Sequence, residues 1–236
     1  MSYSSQTWIR SLSIGIVSGA GPRAGVLLYQ KVVEKCQQVY ECQEDQDFPK
    51  IWILNYPFSP MVQVNESSQN NERLTGQIED ALSQLSERGV NRIGIACNTI
   101  HNFLPANGES MERLIQIPNL IKRSLKDLNS SSVLILGTET TIHLGMYRTL
   151  KQRTFYPNQI EQTSVSAIID RILKGNILKE DSEYLENIIS KYSYHIDSVI
   201  LGCTELSVLA DQFPIHVNQV TIVDPLDLLS YALISK

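Results

Sequence analysis

Two short apolar stretches, each followed by a cysteine, constrain the fold of this chain most strongly. Residues 93–96 precede Cys97 and residues 198–202 precede Cys203, and a threonine follows each cysteine within two positions. Side chains that are apolar without alternation are typical of a parallel strand that is buried on both faces. Each cysteine is therefore predicted at the carboxyl end of a strand, where open parallel sheets bind ligands. We expect the two thiols to face a common cleft.

The rest of the chain alternates predicted strands with predicted helices. Further strands are predicted at residues 12–17, 51–54 and 133–136 and near Phe155. This alternation indicates an α/β fold with parallel sheets. The two cysteines lie about half a chain length apart in 236 residues. We therefore predict two similar α/β halves that are related by an internal duplication.

Three predicted helices carry particular expectations. The helix that opens at Pro22 is expected to bury the apolar residues Val26, Tyr29, Val33, Cys36 and Tyr40. A helix before residue 89 is expected to bury Ile78, Leu82 and Leu85, with Gly89 as its stop. A later helix is expected to begin near Ser166 and to end by Gly175. The final helix is expected to return to the first half.

Composition and charge exclude several classes of function. The net charge is −5 and Lys/Arg clusters are absent, which argues against nucleic-acid binding. The sequence contains neither a run of about 18 apolar residues nor a secretory leader, so no membrane association is expected. The four cysteines form no C-x-x-C pair, which argues against a structural zinc site and favours free thiols in the cytoplasm.

The cysteine pair suggests acid–base chemistry on carbon. A single cysteine at a strand end is usually an inert apolar residue, but the repeated pattern favours a functional pair. Two thiols on opposite faces of a bound carbon can remove a proton from one side and return it on the other. A free thiol has a pKa of about 8.5, so a modest lowering would give one thiolate and one thiol near neutral pH. Such a pair needs neither a cofactor nor a metal.

His101 leaves a second interpretation open. It follows Cys97 by four residues, and a cysteine with a histidine can also catalyse acyl transfer. On a helix, the same histidine would more often support the structure around the cysteine.

Beyond the cysteines, the chain resembles the aspartate/glutamate racemase family, the cofactor-independent amino-acid racemases. The matching segments fall in the family's order and span nearly the whole chain: residues 19–22, 45–47, 55–60, 97–101, 137–141, 202–206 and 224–225. The histidine at position 101 favours the aspartate type. The resemblance implies two pseudosymmetric domains, each with a parallel four-stranded sheet flanked by helices, and an active site between them. The domains would comprise residues 1–104 with 215–236, and residues 105–214.

The resemblance also implies roles for particular residues. It assigns proton transfer to Cys97 and Cys203 and substrate binding to the polar groups around them. The predicted substrate-binding residues are Gly19, Asn55, Asn98, Thr99, Thr138, Thr204, Glu205 and Lys174. It further implies a homodimer, an amino acid as substrate, and no cofactor.

Two departures from the family pattern bear on specificity. Aspartate racemases carry an arginine after the N-x-P-x-x-P loop, where this chain has Met61 and Val62. A family lysine aligns with Leu173, and Lys174 matches it only after a shift of one residue. Losing the arginine removes the group best suited to hold a side-chain carboxylate. We expect an amino-acid racemase whose preference for acidic side chains is in doubt. The alternatives are an isomerase or decarboxylase of the same superfamily and a ligand-binding paralogue without turnover.

Overall fold

Two parallel sheets with the same strand order organise the chain. The structure, a computed structural model, describes residues 3–61 and 68–236. The first sheet has the order β2-β1-β3-β4 and the second the order β6-β5-β7-β8. The strands are β1 Ser13–Ser18, β2 Lys50–Asn55, β3 Arg92–Ile95, β4 Leu114–Ile115, β5 Ser132–Leu136, β6 Arg153–Phe155, β7 Ser198–Leu201 and β8 Thr221–Val223. The predicted α/β fold with two parallel four-stranded sheets is confirmed.

Helices flank both sheets. They are α1 Tyr3–Ser11, α2 Pro22–Tyr40, α3 Ser68–Ser86, α4 Ile117–Asp127, α5 Glu139–His143, α6 Gln159–Leu173, α7 Lys179–Tyr192, α8 Thr204–Gln212 and α9 Pro225–Ile234. A large apolar core joins α2, α4 and α9 of the first sheet's inner face to the second sheet, and a smaller core lies between the first sheet and α3. Ile78, Leu82 and Leu85 are buried in that smaller core as predicted. Within the described ranges, no helix is long and apolar enough to cross a membrane.

The buried face of α2 differs from the prediction. Val26 is 67% exposed and Tyr29 is 41% exposed, whereas Cys36 and Tyr40 are buried as expected. The helix is apolar on two sides. It packs against β1 and α9 with the side that carries Leu28 and the buried residues at four-residue spacing after it. The sequence pattern alone cannot choose between two apolar stripes, because both have helical spacing.

Helix α6 begins seven residues before the predicted start. Asn158 caps it by accepting hydrogen bonds from the backbone N–H groups of Ile160 and Glu161, both at 3.0 Å. The Glu161 side chain accepts in turn from the Asn158 backbone N–H at 3.1 Å. This reciprocal capping box satisfies donors that would otherwise lack partners at the helix start. The N-x-x-E pattern was present in the sequence as a start signal, and the prediction near Ser166 missed it.

The sheets divide the chain at positions other than residues 104 and 214. The first sheet takes its last strand, β4, from Leu114–Ile115, and the second takes its last strand, β8, from Thr221–Val223. Helix α9 packs against α2 and α4, which returns the chain to the first sheet. We propose a division that follows the sheets, with residues 128–224 as the second half.

Helix α1 was not predicted. Its Trp8 indole N–H donates to the Ile234 carbonyl at 3.0 Å and so ties the two termini together.

Candidate active site

The structure brings the two cysteine segments together across the two halves. Cys97 follows β3 and Cys203 follows β7, and each of these strands lies in the interior of its sheet. The Thr204 hydroxyl donates to the Ala96 carbonyl at 3.1 Å, which joins the residue after one cysteine to the residue before the other. Both thiols are free and buried, with exposed fractions of 6% for Cys97 and 5% for Cys203. A substrate bound here would be almost wholly removed from water.

Cys97 lies against a turn of backbone N–H groups. A 3₁₀ helix, Thr99–Phe103, begins two residues after the cysteine, and the N–H groups of Thr99 and Ile100 point toward its sulfur. These donors favour the thiolate. Burial nevertheless dominates and, with a smaller contribution from the charge of Glu205, raises the pKa of Cys97 to about 12.

His101 supports the Cys97 backbone instead of facing the sulfur. Its Nδ1 lies 2.8 Å from the Cys97 carbonyl oxygen, and its Nε2 accepts from the Ile117 backbone N–H at 3.3 Å. This arrangement requires a neutral ring with the proton on Nδ1. Burial lowers the pKa of His101 to about 4, which keeps the ring neutral. With both ring nitrogens occupied, His101 is a structural group, and the acyl-transfer interpretation loses its base.

Cys203 has a carboxyl group as its direct partner. The thiol donates to Glu205 Oε2 at 2.8 Å, and the Glu205 backbone N–H points toward the sulfur from the first turn of α8. Burial first, and then the Glu205 charge, raises the pKa of Cys203 well above its ordinary value. Burial also raises the pKa of Glu205 itself. Neither thiol therefore has the lowered pKa that we expected from the sequence.

Gly21 allows Glu205 to lie at the sulfur. The glycine has a φ of +97°, and a Cβ there would lie 2.1 Å from Glu205 Oε1 and 3.8 Å from Leu173 Cδ2. The glycine turn of the first half therefore lies directly against the Glu205 carboxyl group, and the side chain at the end of α6 lies near the same turn. Only a glycine fits this turn. Any L residue would be strained at this positive φ, and its Cβ would clash with the Glu205 carboxylate.

Three threonine hydroxyls form a second contact between the halves. Thr99 Oγ1 lies 2.8 Å from Thr141 Oγ1 and 3.5 Å from Thr138 Oγ1. Thr138 caps α5 by accepting from the Thr141 backbone N–H at 3.0 Å. The cap explains why the Gly-Thr-x-x-Thr pattern at residues 137–141 places two hydroxyls next to Thr99.

Asn98 is the residue whose environment most clearly indicates a ligand. It is 1% exposed, and both its amide oxygen and its amide nitrogen lack a hydrogen-bond partner among the described residues. An unpaired buried polar group costs about 1–3 kcal/mol, so two on one side chain are expensive. A bound group that offers both an acceptor and a donor, such as the carboxylate and ammonium of an amino acid, would satisfy them.

The remaining predicted residues lie at different distances from the cysteines. Gly19 has a φ of +110°, and a Cβ there would lie 1.8 Å from the Tyr56 carbonyl oxygen, so the turn packs tightly on the loop after β2. Asn55 is the exposed last residue of β2 and pairs with Ser18 at the carboxyl edge of the sheet. Lys174 is exposed at the end of α6, where its ammonium pairs with Asp170 at 2.6 Å. Val62 lies outside the described residues.

Two buried side chains near the site were missed by the sequence analysis. Gln162 donates to the Gly137 carbonyl at 2.9 Å and so orients the turn that precedes Thr138. Tyr147 is 2% exposed and interacts electrostatically with Cys203. Neither has a sequence signal of its own, since each lies on a segment with no recognised motif. In residues 3–61 and 68–236, no group of three or more His, Cys, Asp or Glu side chains is placed to hold a metal ion.

Comparisons with known proteins agree with this geometry. The model of the Asp/Glu/Hydantoin racemase family matches residues 17–231. A curated relative, the broad specificity amino-acid racemase RacX of Bacillus subtilis, is 25% identical over 219 residues, which cover 89% of this chain and 92% of that protein.

Solved structures extend the agreement to the whole fold. The aspartate racemase of Picrophilus torridus has a TM-score of 0.72 at 25% identity, with 94% of this chain and 93% of that chain covered. An aspartate racemase homologue from Pyrococcus horikoshii has a TM-score of 0.67 at 25% identity, with 94% and 97% covered. The relatives are named as racemases, which are isomerases, and the predicted enzyme class is confirmed. The chain belongs to the Asp/Glu/Hydantoin racemase family.

Proposed function

We propose that this protein is a cofactor-independent amino-acid racemase in which Cys97 and Cys203 act as the two bases. The observation that carries the proposal is the meeting of two buried thiols, from equivalent strand ends, beside the unpaired Asn98 amide. One thiolate removes the α-proton from one face of the substrate. The other thiol donates a proton to the opposite face, and the α-carbon is inverted. The next turnover starts with the protonation states exchanged.

The polar groups around the thiols would hold the amino acid. Asn98 can donate to the carboxylate and accept from the ammonium, because it has both kinds of group unpaired. The hydroxyls of Thr99 and Thr138 lie on the facing elements and can bind the same two groups. Thr204 uses its hydroxyl to hold the Ala96 carbonyl, so we assign it the role of fixing the distance between the halves. Gly19 and Asn55 would border the entrance.

The substrate itself would favour the thiolate form. Both thiols have raised pKa values, and a positive charge within a few ångströms lowers a thiol pKa by about 1–3 units. The ammonium of the amino acid supplies that charge inside a dry site. Glu205 is in position to accept the Cys203 proton, since the thiol already donates to it and burial raises the carboxyl pKa. Transfer from Cys203 to Glu205 yields a thiolate and a neutral carboxyl group without a net change of charge.

We further propose that the substrate has a neutral side chain. Val62 occupies the sequence position of the family arginine, and Leu173 that of the family lysine. Leu173 lies beside the Gly21 turn, while Lys174 is exposed and paired with Asp170. An unpaired carboxylate next to apolar groups would cost several kcal/mol. The Bacillus subtilis relative is named a broad specificity amino-acid racemase, which supports a site that is not restricted to acidic side chains.

The primary experiment measures loss of the α-proton from single amino acids in heavy water by NMR. The protein is first dialysed against chelator with a reductant present. We expect exchange and inversion of one or more neutral amino acids without added pyridoxal phosphate or metal. Binding without exchange would favour the ligand-binding paralogue, and loss of carbon dioxide would favour a decarboxylase. Restoration of lost activity by pyridoxal phosphate or a metal would contradict the proposal.

The side-chain preference is tested with Val62→Arg. The arginine should move the preference toward aspartate by about a hundredfold in kcat/KM relative to a neutral amino acid, because a charged hydrogen bond replaces an unpaired carboxylate. Lys50→Arg, which changes one exposed residue without adding charge, is the control. Efficient turnover of aspartate by the wild type, unchanged in Val62→Arg, would show that another cation serves the side chain.

The proposal also includes a homodimer in the cytoplasm. A reducing compartment is required by the mechanism, since both thiols must stay unoxidised. Sedimentation of the purified protein tests the dimer independently of activity.

A further inference from the structure

We propose that Thr141 is a positioning residue that fixes the direction of the Thr99 hydroxyl, so that its proton points to the substrate carboxylate. This inference rests on the proposed function, because it concerns how the site holds an amino acid. Thr141 is fully buried, and its Oγ1 lies 2.8 Å from Thr99 Oγ1 and 3.0 Å from Thr138 Oγ1. Thr99 comes from the first half and the other two from the second.

The directions of these hydrogen bonds follow from counting protons. Each threonine hydroxyl has one proton to donate and two lone pairs to accept with. Thr138 Oγ1 accepts from the Thr141 backbone N–H and donates its own proton to Thr141 Oγ1. Thr141 then has to place its proton elsewhere. It has no contact with water, and its remaining close partner is Thr99 Oγ1.

The Thr99 hydroxyl oxygen accepts a hydrogen bond within the protein, and its proton remains available to donate. Its oxygen accepts from Thr141, and the 3.5 Å separation from Thr138 Oγ1 is too long for a competing O–H···O bond. The Thr99 O–H is therefore available to a ligand in the cleft. The Thr99 carbonyl accepts from Asn102 Nδ2 at 3.0 Å, which holds the backbone of the same residue in place.

The chain of hydroxyls thus prepares a donor where the substrate needs one. A hydroxyl that donates to a carboxylate makes a charge-assisted bond, which is stronger than a neutral one. A free hydroxyl could rotate or donate to a protein oxygen, and the substrate would have to reorient it. Because the chain starts at the cap of α5, the second half determines how the first half meets the carboxylate.

Two substitutions at one position separate this role from packing. Thr141→Val keeps the shape and removes the hydroxyl, whereas Thr141→Ser keeps the hydroxyl and removes a methyl group. We expect Thr141→Val to lower kcat/KM about tenfold, mainly through KM, and Thr141→Ser to stay within about twofold of the wild type. A packing role predicts the opposite order, because loss of a buried methyl group is felt in the core. Thr163→Val, at an exposed helical threonine, is the matched control.

A double-mutant cycle shows whether Thr141 acts through Thr99. If it does, Thr99→Val with Thr141→Val should be no worse than Thr99→Val alone. Additive losses, or a Thr141→Val enzyme equal to the wild type, would overturn the inference. Thermal unfolding of each variant confirms that it is folded.

Calorimetric titration with the amino acid keeps this test separate from that of the proposed function. If the wild type binds an amino acid without turnover, the racemase proposal fails, and the same cycle is read from affinities. If the wild type binds no amino acid, both proposals are overturned. If the wild type racemises an amino acid but Thr141→Val and Thr141→Ser have the same kcat/KM, only the inference about Thr141 fails.

Discussion

The surroundings of Cys97 and Cys203 share a backbone arrangement and differ in their side chains. Each cysteine follows a strand in the interior of its sheet, and each sulfur meets N–H groups of the turn that comes next. Cys203 also donates to the Glu205 carboxyl group, whereas Thr99 stands at the equivalent position after Cys97, and His101, two residues further on, binds the backbone and remains neutral. The two sheets, which have the same strand order, therefore place the two thiols in similar backbone settings, and single side chains make the surroundings of the two thiols different.

The difference concerns Glu205, which is in direct contact with Cys203. Burial raises the pKa of both thiols, and at Cys203 the adjoining carboxylate raises the pKa as well, because it opposes a second negative charge. In the proposed two-base mechanism, Glu205 would accept the Cys203 proton, because the thiol already donates to its carboxyl group.

The largest expected effect comes from removing either sulfur. Cys97→Ser and Cys203→Ser should each abolish racemisation, because a serine hydroxyl is too weak an acid to form the required anion near neutral pH. Each variant should retain α-proton exchange for one enantiomer only, and opposite enantiomers should be affected in the two. NMR in heavy water measures both quantities. Cys42→Ser, at a buried thiol outside the site, is the control, and full racemase activity in either site variant would contradict the two-base mechanism.

A smaller effect is expected from removing the carboxylate that distinguishes the two thiols. Glu205→Gln should lower racemisation about tenfold to a hundredfold, because the acceptor of the Cys203 proton is lost. Removing the negative charge should also shift alkylation of Cys203 to lower pH, and more than that of Cys97. Mass spectrometry of iodoacetamide-treated protein across a pH series reads the two cysteines separately.

Glu161→Gln provides the control for that experiment. Glu161 is also buried, but its carboxylate pairs with Lys191 at 2.9 Å. Equal shifts at Cys97 and Cys203 in the Glu205→Gln protein would mean that Glu205 does not cause the difference between them.

The smallest effect on activity is expected at His101, where stability is the informative quantity. Its pKa falls from 6.5 in the unfolded chain to about 4 in the folded protein, so the unfolded state gains a proton first as the pH drops. The wild type should lose up to about 3 kcal/mol of stability from this group between pH 6.5 and pH 4. Asparagine at 101 can still donate to the Cys97 carbonyl but does not titrate. Urea unfolding of His101→Asn should therefore show a shallower pH dependence, and identical slopes would mean that the ring is not held neutral.

An element can be predicted from the sequence when the residues that determine it are close neighbours in the chain. The cysteine strands and the helix around Ile78 were predicted because their apolar patterns have one interpretation. The start of α6 was missed although Asn158 and Glu161 carry a local signal. The buried face of α2 was mispredicted for a different reason, since two apolar stripes compete and tertiary packing selects one.

The candidate site shows the same division. The thiols were singled out from the repeated motif and the threonines from the family resemblance; the family is confirmed by its model, and the roles of these residues stay predictions. The hydrogen-bond chain from Thr138 through Thr141 to Thr99 was not foreseen, because it joins segments about 40 residues apart. The contact between the Gly21 turn and the Glu205 carboxyl group joins two distant segments and was likewise not foreseen.

Taken by itself, the sequence determined the fold class, the duplication and the placement of two cysteines at strand ends. These properties depend on periodicity and on short motifs, which act over a few residues. The tertiary structure decided which groups meet each sulfur, and it therefore decided the protonation of the thiols and of His101. Desolvation and charge depend on distances between segments that are remote in the chain, and a linear pattern contains no such distances.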